Sequence, residues 1–244
     1  MQKSIFSSIT KSKEQRKKQF AVLVDPDKFE SSKAVELAEN GGADFIFVGG
    51  SILTNGNFEE CIHFLKQQTR IPVIIFPGNN LQISKNADGI LLLSLISGRN
   101  PELLIGKQVI AAPILKSSNL EIMPTGYILI DGGKPTAVSY MSNTNPIPFD
   151  KDDIAMCTAM AGEMLGLKLI YMDAGSGAMN AIGEKMIQKV SSNISIPLIV
   201  GGGINTPQKA VNACKAGADI IVVGNAIEKD SSLIKKIAKA IHAI

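Results

Sequence analysis

Eight short apolar runs recur along the chain, and each is nearly continuous: Phe20 to Val24, Phe45 to Val48, Val73 to Phe76, Ile90 to Leu95, Tyr127 to Ile130, Leu169 to Met172, Leu198 to Val200 and Ile220 to Val223. A strand with one wet face alternates apolar and polar residues, whereas a parallel strand covered on both faces does not need to. Helical stretches separate most of the runs, and strand–helix alternation repeated around a sheet predicts an α/β fold, a modified TIM or (β/α)8 barrel. The 244 residues suit one such domain, spanning 1–244. With 45% hydrophobic and 19% charged residues, the chain can fill that barrel's core and has no bias toward disorder.

Local punctuation supports the alternation. Thr206 suits a helix N-cap, Pro207 the first helical position and Gly217 the C-terminal stop. In the last helix Leu233, Ile234, Ile237 and Ile241 form one face, opposite Lys235, Lys236 and Lys239. The segment Gly42-Ala43-Asp44-Phe45-Ile46-Phe47-Val48-Gly49 is echoed by Gly217-Ala218-Asp219-Ile220-Ile221-Val222-Val223-Gly224, helix stop, strand, then glycine. Two departures from an ideal barrel stand out. Only about ten residues lie between Pro77 and Asp88, too few for a full helix after loops are subtracted, so the third helix is reduced or missing. Ser97 to Gly126 and Asp131 to Pro148 are long and rich in Gly, Pro, Ser and Asn, which predicts extended loops flanking the fifth strand. An extra N-terminal helix precedes the first strand, and its Lys11, Lys13, Arg16, Lys17 and Lys18 read as a solvated face or, alternatively, a contact for anionic lipid.

A net charge of +3 with scattered basic residues carries no nucleic-acid footprint. No apolar run approaches the roughly 18 residues needed to cross a bilayer, and no signal-peptide core opens the chain, so membrane contact is expected to be peripheral at most. Cys61, Cys157 and Cys214 lack paired spacing and point to reduced thiols in a cytoplasmic protein. His63 and His242 fall in helical patterns away from the strand ends, as surface or packing residues.

The C-terminal ends of barrel strands are where chemistry collects. Gly201-Gly202-Gly203-Ile204 and Gly224-Asn225-Ala226 follow the last two runs, the place where a barrel frequently holds a phosphate. Either backbone amides converge there on one anion, or the glycines serve only tight turns. Strand one ends in Asp25-Pro26-Asp27-Lys28. Asp25 is a candidate magnesium ligand, since that ion favours hard oxygens and few protein groups, or else the cap of an Asp-Pro turn. Ser51, after Gly49-Gly50, offers a second hard oxygen or a loop cap. Strand six ends in Tyr171-Met172-Asp173-Ala174-Gly175-Ser176-Gly177, where Asp173 is a general-base candidate or a structural cap and the rest can lie against a ligand.

Taken in order, Leu23-Val24-Asp25-Pro26-Asp27-Lys28, Val48-Gly49-Gly50-Ser51, Tyr171 to Gly177, Gly201-Gly202-Gly203-Ile204 and Val223-Gly224-Asn225 resemble the geranylgeranylglyceryl phosphate synthase family from the first strand to the eighth. The resemblance implies a magnesium-dependent prenyltransferase that joins sn-glycerol 1-phosphate to a long polyprenyl diphosphate, on a barrel lacking a normal third helix. It further implies that Asp25 and Ser51 hold Mg2+. Tyr171, Met172, Asp173, Ala174, Gly175, Ser176, Gly177, Gly202, Gly203, Gly224 and Asn225 would bind the glycerol phosphate, with Asp173 catalytic. Family members form dimers or larger rings, so a homo-oligomer, dimer or hexamer, is implied. Two positions depart from the family's pattern: Asp173 stands where glutamate is usual, and Leu23 stands where some members have lysine, leaving Lys28 or another group to neutralise phosphate. The competing readings are a sugar phosphate isomerase or flavin-dependent oxidase on the same barrel, and a phosphoester-binding barrel or lipid-surface scaffold without catalysis.

Overall fold

The computed structural model describes residues 4–29, 41–55 and 57–244. Eight parallel strands close into a barrel in sequence order: β1 Gln19–Val24, β2 Phe45–Val48, β3 Val73–Ile75, β4 Gly89–Leu95, β5 Glu121–Leu129, β6 Leu169–Asp173, β7 Leu198–Gly201 and β8 Ile220–Val223. Closure is made by β8 pairing with β1 from Gln19↔Ile220 to Val22↔Val223. The described helices are α1 Ile5–Glu14, α2 Phe58–Gln68, α3 Lys107–Lys116, α4 Ala137–Ser142, α5 Asp152–Met164, α6 Glu184–Ser191, α7 Pro207–Lys215, α8 Asn225–Lys229 and α9 Leu233–His242.

The continuous runs have the expected cause. Within β1, Phe20, Val22 and Val24 pack outward with the helices, while Ala21 joins the interior; in β2, Phe45 and Phe47 face inward and Ile46 and Val48 outward. Both faces are dry, so polar alternation has no place. The interior is closed from below by α1, whose Ile5 and Ile9 enter the same cluster as Phe45, Ile74, Met123 and Ile220. Glu121, the first residue of β5, holds this plug by accepting hydrogen bonds from Ile5 N (2.6 Å) and Phe6 N (2.8 Å). Lys13 and Lys18 both reach Asp219, at 2.9 and 3.5 Å, so the basic segment seals the barrel floor, opposite the strands' C-terminal ends. Lys11, Arg16 and Lys17 of the same segment remain exposed.

The internal echo has a mechanical meaning. The Asp44 carboxylate accepts from Phe20 N (2.8 Å) and that of Asp219 from Leu198 N (3.0 Å), each clamping the start of the preceding strand. Asp88 does the same to Val73 N (2.8 Å). Each clamp has a basic neighbour, His242 at 2.9 Å, Lys13 at 2.9 Å and Lys66 at 2.7 Å. The glycines that deliver the chain to two of these clamps, Gly42 and Gly217, sit at φ +73° and +118°, where a side chain would be strained.

Thr206 caps α7 through Lys209 N (3.2 Å), and Ile234, Ile237 and Ile241 of α9 are buried. Residues 77–88 cross from β3 to β4 without a helix, as their number requires. The long-loop expectation for Ser97 to Gly126 is corrected. That stretch holds a π-helical turn Glu102–Gly106, α3 and the first six residues of β5. Two of the stretch's prolines, Pro113 and Pro124, sit inside these regular elements. Pro113 leaves only the Val109 carbonyl unserved, on the exposed side of α3, while Pro124 keeps its ladder role by accepting from Lys168 N (2.8 Å). Asp131 to Pro148 is a loop carrying only the short α4, tied at its far end by the Ile130↔Ile147 bridge.

Ile9 is 1% exposed at the centre of the plug, so Ile9→Ala removes methyl groups and leaves a void. The expected loss is about 2–4 kcal/mol of unfolding free energy, read from the urea midpoint at unchanged slope.

Candidate active site

Above the interior core the strands' C-terminal ends open into a cavity of about 600 Å³. Its wall includes Asp25, Ser51, Tyr171, Asp173, Gly175, Ser176, Gly177, Gly202, Gly203, Gly224 and Asn225, so most of the sequence-predicted residues share one space. Met172 and Ala174 do not line it. Both belong to the outward core cluster, because alternate residues of a strand face opposite sides. They support the segment without facing a ligand, a correction to their place among the binding residues.

Asp173 lies between the two halves of this cavity, 7% exposed. Its Oδ2 accepts from the Tyr127 hydroxyl at 2.6 Å and its Oδ1 from Gly175 N at 2.8 Å. A carboxylate has room for about four hydrogen bonds, so capacity remains for a ligand hydroxyl. Burial pushes its pKa upward, against the opposing pull of those two donors. Burial and the facing carboxylate also push the Tyr127 and Tyr171 hydroxyls well above the ordinary tyrosine range, which keeps them neutral donors. Tyr171 stacks on Phe76 (centroids 4.9 Å apart) and meets Tyr127 edge-on (5.5 Å), giving the cavity an aromatic floor.

The phosphate-site candidate is a concavity of backbone. Gly177, Gly202 and Gly203 have φ of +72°, +83° and +68°, and their N–H groups find no backbone acceptor among the described residues. Gly202 admits no side chain, since a β-carbon there would stand 2.7 Å from Ala174 N and 2.8 Å from Asp173 Oδ1. Ser176 Oγ donates to Asn225 Oδ1 at 2.9 Å, tying the β6 loop to the start of α8. Free amides in a concave turn form an anion-binding nest.

Across the mouth, Asp25 serves two ends. Its Oδ1 accepts from Asp27 N at 3.1 Å, capping the single 3-10 turn Pro26–Lys28, while Oδ2 faces Lys28 Nζ at 3.1 Å. Lys28 also reaches Glu228 of α8 at 3.2 Å; burial lowers its pKa, but the two carboxylates outweigh that and raise it. Ser51 borders the same part of the cavity, held in place by Gln82. That buried amide donates to Gly50 O (2.8 Å) and accepts from Gly78 N (3.1 Å). Among the described residues no group of three His, Cys, Asp or Glu side chains could hold a metal. Two hard oxygens, Asp25 and Ser51, fit an ion such as Mg2+ that fills its remaining positions from water and substrate phosphate.

An apolar arm leaves the cavity between β3 and β4, lined by Ile83, Ile90, Leu92, Leu103, Ala111 and Leu115. Ile90, Ala111 and Leu115 belong to the outward-facing cluster, with Ile83 and Leu92 packed against it, beside residues 77–88, which cross without a helix at the seam where β3 pairs with β4 only at Ile74↔Gly89 and Ile75↔Ile90. Gln108 Nε2 donates to Leu93 O and Ser94 Oγ to Leu104 O, side-chain bonds along the strand that borders this seam.

The sequence reading assigned no role to Tyr127, Phe76 or Gln82. A hydroxyl inside the apolar run Tyr127 to Ile130 was the available signal, because a polar tip buried on a strand needs a partner. His63 and His242 are far from this chemistry, bonded to Gln67 and Asp44. No helix among the described residues is long and apolar enough to cross a membrane.

Residues 12–241 match the PcrB family. The chain is 57% identical to a geranylgeranylglyceryl phosphate synthase of Chitinophaga pinensis over 100% of its own length and 98% of the relative's, and 39% identical to one of Korarchaeum cryptofilum over 92% and 93%. Among solved structures it superposes on the (S)-3-O-geranylgeranylglyceryl phosphate synthase of Thermoplasma acidophilum, captured with the substrate sn-glycerol-1-phosphate, with a TM-score of 0.92 at 33% identity and 99% of both chains covered. A resemblance carried by five motifs thus extends along the whole barrel, and the chain belongs to the PcrB family.

Proposed function

We propose that this protein is a prenyltransferase that forms an ether bond between sn-glycerol 1-phosphate and a long, geranylgeranyl-type polyprenyl diphosphate, releasing diphosphate, in ether lipid synthesis. The observation that carries this is one cavity holding an amide nest, a buried carboxylate, a pair of hard oxygens and an apolar arm. The relatives named above bear that activity, and the Thermoplasma structure holds that acceptor. An isomerase of this barrel needs an acid–base pair at the rim, and no histidine lines the cavity.

In this reading the acceptor phosphate sits in the nest of Gly177, Gly202, Gly203 and Asn225, which leaves the glycerol hydroxyl beside Asp173. Asp173 accepts the hydroxyl proton as the ether C–O bond forms and the bond from the allylic carbon to the diphosphate oxygen breaks. Tyr127 keeps that carboxylate ionised and fixes its orientation. Asp25 and Ser51 would hold Mg2+, which when bound neutralises the leaving diphosphate. Lys28 adds a cation beside them, in place of the lysine absent at Leu23. The apolar arm takes the prenyl tail, and the Phe76–Tyr127–Tyr171 floor keeps water from the reacting carbon. The expected setting is a cytoplasmic homo-oligomer, dimer or hexamer, which would cover the outward-facing Val109, Ile110 and Ile114 of α3; light scattering of the purified chain reads that state.

Three outcomes test the proposal. With polyprenyl diphosphates of several lengths, product is expected from sn-glycerol 1-phosphate with magnesium, and little from the 3-phosphate enantiomer or without the metal. Failure of every combination overturns the reading. Asp25→Ala should lower turnover by about a thousandfold, the several kcal/mol of a lost metal site, while costing only about 1 kcal/mol of stability as a lost cap; near-normal turnover would leave Asp25 with the cap alone. Tyr127→Phe removes a bond that favours ionised Asp173, so the carboxyl pKa rises further and the acid limb of kcat/KM moves to higher pH. A limb that stays put would separate Tyr127 from the base.

A further inference from the structure

The nest at the ends of β6, β7 and β8 is made of neutral donors. Gly177, Gly202 and Gly203 offer backbone N–H groups, and Asn225 commits its Oδ1 to Ser176 Oγ at 2.9 Å, which leaves its Nδ2 as a further donor. A phosphate dianion taken from water into such a site keeps much of its desolvation cost unless a cation meets it. Lys28, Lys107 and Lys229 line the cavity, and of these Lys28 is engaged elsewhere, bridging Asp25 and Glu228 at 3.1 and 3.2 Å.

The loop after β5 brings another. If Gly177 carried a β-carbon, that atom would stand 3.5 Å from Asn225 Nδ2 and 4.0 Å from Lys134 Nζ, so an amide and an ammonium converge on the space above one glycine of the nest. Lys134 is exposed and makes no ion pair or hydrogen bond among the described residues. Its placement is built. Gly132 O accepts from Met179 N and Asn180 N, both at 3.0 Å, and Gly133 N donates to Asp131 Oδ1 at 2.8 Å. Thr136 packs so closely on Gly175 that a β-carbon there would lie 2.7 Å from its hydroxyl. The β5 loop is therefore clasped to the β6 loop on both sides of Lys134, and only the flexible lysine stem remains to swing.

We infer that Lys134 is the counter-ion of the acceptor's phosphate, the residue that makes the neutral nest select a phosphomonoester dianion over an uncharged polyol. This rests on the synthase reading and deepens it at the acceptor site.

Calorimetric titration of the full chain, without prenyl substrate, tests it with sn-glycerol 1-phosphate and with inorganic phosphate. Lys134→Gln should weaken both ligands about ten- to a hundredfold, the range of a charge-assisted hydrogen bond, and flatten the dependence on salt. Lys134→Arg should keep affinity within about threefold, as should the distant surface control Lys239→Gln. The inference is overturned if Lys134→Gln binds within twofold of the parent, or if the loss follows Lys229→Gln on the α8 wall instead. Should the parent bind inorganic phosphate through Lys134 yet ignore sn-glycerol 1-phosphate, the counter-ion stands and the acceptor assignment falls; binding of neither ligand overturns both.

Discussion

The hydrogen bonds between β8 and β1 govern the rest of this molecule. Once Gln19↔Ile220 through Val22↔Val223 close the ladder, no sheet edge remains, and all eight strands must deliver their C-terminal ends to one rim. Closure also fixes the width of the interior, which side chains alone must fill. Phe45, Phe47, Ile74 and Met123 fill the lower part and α1 stoppers it with Ile5 and Ile9, so the upper part can be left hollow. The aspartate clamps at the floor, Asp44, Asp88 and Asp219, serve the same end by satisfying strand-initial N–H groups that a parallel ladder leaves without partners.

The hollow is divided by charge. On one side lie the free amides of Gly177, Gly202 and Gly203, which in the proposed reaction take a phosphate; on the other lie Asp25, Ser51 and Lys28, which in the same proposal would face a metal-bound diphosphate. Asp173 stands between them, buried and with no cation paired to it among the described residues, so burial raises its pKa, and the proposed reaction uses it as the proton acceptor. The thin β3–β4 seam completes the division. Leaving out a helix lets the apolar faces of β4 and α3 line one arm of the cavity, and in the proposed reaction a long hydrocarbon is the guest that fills it.

Much of this was legible in the chain because it follows from short-range rules. Strand positions came from unbroken apolar runs, the missing helix from a length of about ten residues, and the rim residues from their place directly after strands. Two kinds of feature were not legible. Pro113 and Pro124 obscured α3 and the start of β5, since a proline counts against helix and strand unless one knows that its neighbour's carbonyl faces water or that it sits in a tolerant register. The partners of the site residues were hidden too: Tyr127 lies 46 positions from Asp173, and Gln82 lies 32 from Gly50, contacts that only barrel closure creates. Met172 and Ala174 show the converse error, in which an unbroken motif suggested a common role that strand alternation forbids.

The aspartate at strand six changes which element sets the reacting distance. A glutamate could reach one methylene farther and adapt its rotamers to the acceptor, whereas Asp173 is short and pinned from both sides by Tyr127 and Gly175. If Asp173 is the base, as proposed, the acceptor must be carried to it. In that proposal its carrier is the amide nest, which lies close against Asp173, for a β-carbon placed on Gly202 would be 2.8 Å from Asp173 Oδ1. Phosphate site and carboxylate are thus one rigid piece, with no flexible side chain between them. In that arrangement, binding energy at the non-reacting phosphate is converted into alignment of the hydroxyl, and a displacement at the glycines passes undamped to the bond being made.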